Sequence, residues 1–249
     1  MLKATGARCW PCLGWEFGSF GPLWVRTEII DLGMREPMRL MYASDLHLGH
    51  WWTRPVAAQL LAAARLTAPD LVVLGGDLVD GENALPQLGD LLRDLTTFVP
   101  VWAIHGNHDD RVGILRLREA VLTGGGRWLA DGFDGGALRL DCKVTAPDHP
   151  APQYPGPDHR PRVLCTHYPT DFPAAAAAGY RLVLAGHLHG GQCVFGTRQD
   201  RLYPAAWLHR WHGLKFTSGS ASMLVSRGMG DTFPFRFRCP REVVLCCLT

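Results

Sequence analysis

The chain of 249 residues is 47% hydrophobic and 19% charged, which suits one sizeable α/β domain and excludes a disordered or heavily solvated protein. Its formal net charge of +2 excludes a general nucleic-acid binder, and it has no apolar run of 18 residues to span a bilayer. Its eight cysteines form no disulfide framework. Cys9 and Cys12 make a single Cys-x-x-Cys with no second one to complete a zinc ribbon. Cys142, Cys165 and Cys193 read as small core fillers. A reducing compartment and a soluble cytoplasmic protein, touching a membrane only peripherally, are the expectation. Of 25 basic residues only Lys3, Lys143 and Lys215 are lysines; arginine forks suit phosphate.

Residues 1–22 are expected to form an irregular leader, because Glu16, two prolines and three glycines interrupt the apolar stretch Cys9–Val25. Residues 23–249 then form one domain. Val25–Asp31 reads as an edge strand, and Met38–Ser44 as a buried strand that stops at Asp45. Pro55–Leu66 has helical spacing with Pro55 in the first turn. Leu71–Leu74, closed by Gly75-Gly76, is a central strand. Ala84–Phe98 is an amphipathic helix with Leu85, Leu88, Leu91, Leu92 and Leu95 on one face. Pro100–Ile104 is a strand ending at His105-Gly106, followed by a helix over Arg111–Val121.

The second half is richer in strand. Ala137–Val144, Arg162–Thr166, Arg181–Ala185, Leu214–Thr217, Met223–Ser226 and Val243–Leu248 read as strands, with a short helix at Phe172–Ala178. Thr145–Arg160 is a Pro/Asp/His-rich loop. Strand–helix alternation of this kind defines an α/β layer fold.

Five motifs stand where apolar strands end: Ser-Asp45-Leu-His47, Gly-Gly-Asp77, Gly-Asn107-His108-Asp109, Thr-His167 and Gly-His187-Leu-His189. Ligands of open α/β sheets gather at strand carboxyl ends. The i, i+2 spacing of Asp45/His47 and of His187/His189 puts each pair on one face of an extended segment. Carboxylates, imidazoles and one amide oxygen suit manganese, iron or zinc better than calcium. Seven donors are too many for one tetrahedral site and suit two neighbouring ions.

These motifs resemble those of the calcineurin-like metallophosphoesterases: Asp-x-His, Gly-Asp, Gly-Asn-His-Asp/Glu, a single His and Gly-His-x-His. The segments Ser44–Gly49, Gly76–Gly81, Gly186–Gln192 and Val225–Gly230 resemble the bacterial YkuE-type branch in particular. The resemblance implies a four-layer α/β/β/α sandwich with two central mixed sheets. It implies two divalent or mixed-valence ions, one held by Asp45, His47 and His189, the other by Asn107, His167 and His187, with Asp77 bridging them. A hydroxide between the ions then attacks phosphorus in line. His108 acts as general acid or charge stabiliser, and Asp109 orients or charges its imidazole.

The implied reaction is hydrolysis of a phosphoester, phosphodiester or pyrophosphate. A UDP-2,3-diacylglucosamine hydrolase and a cyclic-nucleotide phosphodiesterase are the named alternatives. The Trp51–Trp52 and Trp207–His212 segments suit a small-molecule or lipid-linked substrate, as rim or as packing. A nuclease of the superfamily needs further domains and more basic charge, and a scaffold without catalysis loses ligands that are all present here. His50, His105, His149, His159, His209 and His212 fall outside the pattern, and Tyr168 takes no assigned role. Oligomeric state is left open.

Overall fold

In Met38–Ala43 the side chains of Leu40 and Tyr42 point one way and those of Met41 and Ala43 the other, and all four are fully buried. A strand apolar on both faces needs cover on both, and this requirement builds the fold in layers. The computed structural model describes residues 3–6, 14–131, 133, 136–143 and 159–249.

The chain begins with β1 (Lys3–Gly6), β2 (Trp15–Phe17), β3 (Trp24–Ile30) and β4 (Met38–Ala43). Then come α1 (Val56–Thr67), β5 (Leu71–Gly75), α2 (Leu85–Thr96), β6 (Val101–Ile104), α3 (Ile114–Thr123) and β7 (Arg127–Trp128). The second half holds β8 (Arg139–Lys143), β9 (Arg162–Thr166), α4 (Phe172–Ala177) and β10 (Leu182–Ala185). It continues through β11 (Val194–Arg198), β12 (Arg201–Pro204) and α5 (Ala205–Leu208). The chain closes with β13 (Lys215–Ser218), β14 (Ala221–Val225), β15 (Phe235–Phe237) and β16 (Glu242–Leu248).

Seven strands form one mixed sheet in the order β1-β3-β16-β4-β5-β6-β7, antiparallel only between β16 and β4. Five form a second, β13-β14-β10-β9-β8, antiparallel only between β13 and β14. Leu40, Val73 and Val244 of the first sheet pack against Val163, Leu184 and Leu224 of the second. The other face of the first sheet meets Leu60 of α1, Leu92 of α2 and Leu117 of α3. The other face of the second meets Phe172 of α4 and Trp211. The result is an α/β/β/α sandwich with two central mixed sheets.

Several expectations need correction. Strand β3 is not an edge, because β1 and β16 flank it in parallel. Pro55 sits at the N-cap of α1 rather than inside the first turn. The helix expected from Arg111 begins at Ile114, after a single 3₁₀ turn over Asp109–Arg111. Within residues 1–22, Trp15–Phe17 is a strand that pairs antiparallel with β15, so the leader is not irregular throughout. The sequence pattern predicts no element at the β11–β12 hairpin or at α5. Cys9, Cys12, His149 and most of the loop from Thr145 lie outside the described residues.

A buried ion network ties the carboxyl-terminal strand to the turn beneath the site. Arg26 donates from Nε to Glu242 Oε1 at 3.2 Å, from NH1 to Glu28 Oε1 at 2.8 Å and from NH2 to the Val225 carbonyl at 2.9 Å. Arg227 donates its backbone N–H to Glu242 Oε1 at 3.1 Å and clasps Oε2 with its guanidinium.

Candidate metal centre

Strands β4, β5 and β6 of one sheet and β9 and β10 of the other end at a common edge. Asp45, Asp77, Asn107, His167 and His187 follow those ends within three residues. The backbone there differs from the extended form expected of the i, i+2 pairs. Asp45, His47, Asp77, His187 and His189 all have left-handed φ, at 55°, 46°, 51°, 72° and 48°. Each such residue costs about 1 kcal/mol, and clusters of them mark functional sites. The kinked chain turns both members of each pair inward. It is held by Asp45 N–H to the Gly76 carbonyl at 2.9 Å, His47 N–H to the Asp77 carbonyl at 3.0 Å and Gly230 N–H to the Asp45 carbonyl at 2.7 Å. A Cβ at Gly106 would run into Asp77 Oδ1, and one at Gly186 into Asp45 Oδ2. Close backbone approach therefore explains the glycines that precede Asn107 and His187.

The ligand atoms of Asp45, His47 and His189 lie within 4.8 Å of one another, as do those of Asp77, His167 and His187. Asp77 Oδ2 is 3.8 Å from His47 Nε2 and 3.2 Å from His167 Nε2, so one oxygen reaches a histidine of each group. Asp77 Oδ1 accepts the His108 N–H at 2.8 Å. The other Asp45 interactions fix its carboxylate: Ser44 Oγ donates to Oδ2 at 2.6 Å and His187 N–H to Oδ1 at 3.0 Å.

The donor atoms fit cations better than they fit each other. His47 Nδ1 donates to the Asp80 carboxylate at 3.0 Å and His189 Nδ1 to Asp231 Oδ1 at 2.8 Å. Each Nε2 is thereby left as a lone pair, yet the two Nε2 atoms face each other at 3.2 Å. His167 repeats the pattern: Nδ1 donates to the Gly75 carbonyl at 3.0 Å, and Nε2 points at a carboxylate oxygen. The buried Asn107 Oδ1 has no hydrogen-bond partner. Acceptors that converge this closely call for positive charge between them, from a proton or from a cation.

The electrostatics agree. Burial pulls the His167 imidazole down, but the Asp77 carboxylate overrides it and pushes it up to about 9. Burial raises Asp77, but His167 and His47 hold it well below the usual carboxylate range. Burial and the neighbouring His167 push His187 down to about 4.

Asp109 does not orient His108. Its fully buried carboxylate accepts backbone N–H groups of Leu78, Val79 and Gly106 at 2.9, 3.0 and 2.8 Å, tying the β5 and β6 loops together. Burial pushes it up to about 7 despite those bonds. The group beside His108 is Asp80, whose Oδ1 lies 2.8 Å from His108 Nδ1. Asp80 also receives His47 Nδ1, and its Oδ2 lies 2.9 Å from His50 Nε2, so His50 joins the site. The imidazole of His50 stacks on Trp52 at 4.3 Å.

Asp231 does for His189 what Asp80 does for His47, and Arg236 grips Asp231 at 2.6 and 2.8 Å. The signals were present: Asp80 stands three residues after Asp77, and Asp231 directly follows Val225–Gly230. Such partners typically carry about 10- to 100-fold in affinity or rate. Asp80→Asn is therefore expected to slow turnover by about that factor while the fold persists; unchanged rates on all substrates would remove its role.

His105 is buried and stacks on Trp128, and it belongs to neither donor group. His209 and His212 pack edge to face at 5.9 Å, and the Tyr168 ring meets His187 at 4.5 Å. Trp52 donates Nε1–H to the Asp231 carbonyl at 2.9 Å, whereas Trp51 is exposed, so the Trp pair is part support and part rim.

A sandwich of two mixed sheets carrying two carboxylate–imidazole donor groups at one edge defines a metal-dependent phosphoester hydrolase. The chain belongs to the calcineurin-like phosphoesterase family, whose model matches residues 38–191. It is 25% identical over 242 residues to the uncharacterized metallophosphoesterase YkuE of Bacillus subtilis, covering 89% of this chain and 82% of that protein. It is 25% identical over 235 residues to the phosphodiesterase YaeI of Escherichia coli, covering 84% and 81% respectively. Among solved structures, TT1561 of Thermus thermophilus shares the fold with a TM-score of 0.51 at 14% identity, covering 78% of this chain and 91% of that one.

Proposed function

We propose that this chain hydrolyses a phosphodiester or pyrophosphate, with His108 delivering a proton to the leaving oxygen. The carrying observation is the joint geometry of two donor groups sharing Asp77 Oδ2 with an imidazole anchored on Asp80 beside them. Asp45, His47 and His189 are assigned to one ion, and Asn107, His167 and His187 to the other, with Asp77 common to both. The mixed donors suit manganese, iron or zinc. When bound, the two ions supply charge that neutralises phosphoryl oxygens and acidifies the attacking water.

The chain's own residues do the rest. Asp80 fixes the His108 ring through Nδ1, which leaves Nε2 to face outward. Burial raises Asp80, but His108 and His47 hold it far below the usual carboxylate range, so it stays ionised and anchors the Nδ1 side of the His108 ring. As the attacking water gives up one proton to solvent and its oxygen bonds to phosphorus, the phosphorus–leaving-oxygen bond breaks and the leaving oxygen takes the Nε2 proton, which solvent then restores. The preference for a diester draws on the similarity to a protein named a phosphodiesterase. A lipid-linked pyrophosphate, as in UDP-2,3-diacylglucosamine, is favoured by the exposed aromatic rings of Trp51 and Phe233 near the site.

His108→Ala is expected to keep both ions and to lose about 10²- to 10⁴-fold turnover on substrates with alkyl leaving groups. Loss on p-nitrophenyl esters should be much smaller, because that leaving group departs without a proton. Equal losses on both kinds of ester, or none on either, would remove the general-acid role.

A further inference from the structure

The two-stranded ribbon of β2 and β15 has its polarity reversed. Its register pairs Phe235 with Phe17, Arg236 with Glu16 and Phe237 with Trp15. The middle pair faces inward: Arg236 is buried on Asp231, and Glu16 accepts from buried Arg241 at 2.9 Å. The aromatic pairs therefore stand on the outer face, where Trp15 is 70% exposed. An ordinary surface ribbon turns its apolar face to the core and its charges to water.

The rings form one continuous surface. Trp15 meets Phe237 at 5.0 Å, and Phe17 meets Phe235 at 5.1 Å and Trp51 at 5.6 Å. Phe233 joins through Phe235 at 5.3 Å, and Phe195 through Phe237 at 5.3 Å. Trp51, Phe233 and Phe195 are 54%, 62% and 65% exposed. Beyond Phe195 the surface opens into a groove of about 600 Å³ lined by Phe195, Tyr203, Trp207 and Arg198. Apolar patches of this extent are uncommon on soluble monomers and mark interaction sites.

The charge around the rings selects the partner. Segments 14–24, 50–54, 193–207 and 232–241 contain two acidic residues: Glu16, which faces inward, and Asp200 at the turn of the β11–β12 hairpin. Arg54, Arg198 and Arg238 are exposed, and the Arg238 guanidinium lies 5.2 Å over the Phe237 ring. Tryptophan and phenylalanine flanked by arginine are the composition that settles at the headgroup–acyl boundary of anionic bilayers.

The inner face of the same ribbon reaches the metal centre. Arg236 holds Asp231, which holds His189, and Thr232 Oγ1 lies 3.3 Å from His47 Nδ1. We infer that the outer face of the β2–β15 ribbon, with Trp51, Phe195 and Phe233, docks on the surface of an anionic lipid bilayer and sets the metal centre at that surface. This inference stands apart from the choice of phosphoester.

The test is sedimentation of the full chain with vesicles of phosphatidylcholine alone or mixed with phosphatidylglycerol, with tryptophan emission and turnover of bis-p-nitrophenyl phosphate measured in parallel. Binding to the mixed vesicles is expected, weakened by salt and accompanied by a blue shift. The Trp15→Ser/Phe195→Ser double variant should partition at least about tenfold more weakly and still turn over the water-soluble diester. No binding to the mixed vesicles, or equal partition of the double variant, overturns the inference. So does a dimer in sedimentation equilibrium that the double variant abolishes, because the face then covers a second copy. Loss of diester turnover in the parent chain instead bears on the hydrolase reading alone.

Discussion

Asp77→Asn is expected to remove both ions together and to lower phosphodiester turnover by about 10³-fold, since the two ions supply several kcal/mol of transition-state stabilisation. The Oδ2 atom of Asp77 lies within 3.8 Å of His47 Nε2 and 3.2 Å of His167 Nε2, one from each donor group. An amide carries no charge, and its NH₂ can donate to an imidazole lone pair, closing the gap that a cation fills. The isosteric amide still offers an oxygen to the His108 N–H, now 2.8 Å from Asp77 Oδ1, so the loop keeps its conformation. Metal content per chain, with circular dichroism to confirm folding, checks this result. Unchanged content would refute the bridge, and loss of one ion alone would assign Asp77 to a single site.

The largest effect on stability is expected at Glu242. This fully buried carboxylate neutralises Arg26 and Arg227, both also buried. Truncation to Ala removes the carboxylate that these two buried guanidinium groups share, although Glu28 stays beside Arg26, and this costs about 3–5 kcal/mol. For a domain of this size, that lowers the melting temperature by about 10 °C or more. Thermal melts of Glu242→Ala and Glu242→Gln check the figure; a shift within a degree or two would mean that the network contributes nothing.

The same group sets an acid limit. Burial pushes Glu242 up, but Arg227 and Arg26 override it and hold it down to about 2, against 4.5 for an ordinary glutamate. Its contribution is therefore fully present above pH 4.5 and is lost as pH falls through about 2. Urea unfolding across that window should show a steeper loss of stability in the parent chain than in Glu242→Gln.

Strands such as Leu71–Gly75 were legible because an apolar run closed by glycine admits few other structures. The motifs were legible too, since each places metal-type donors at a strand end. The backbone between them was not: Asp45 and His47 occupy left-handed positions sustained by contacts to distant residues such as Gly76, Asp77 and Gly230. Asp80 and Asp231 escaped assignment because their partners His47 and His189 stand 33 and 42 residues away in sequence. Trp15-Glu16-Phe17 alternates in polarity, but its burial runs opposite to the usual rule. Glu16 faces Arg241, 225 residues away, and only the assembled fold reveals that partner. Asp109 drew attention by standing next to His108, yet its side chain caps the β5 loop from the far side of the motif.

The central claim is that the acceptors gathered at Asp77 bind a pair of ions that hydrolyse phosphoesters. Metal analysis of the chain reconstituted with manganese, with bis-p-nitrophenyl phosphate turnover measured on the same sample, tests it most directly. About two equivalents per chain, with turnover that chelation abolishes and added metal restores, is the predicted result. Less than about one equivalent with no turnover would contradict it.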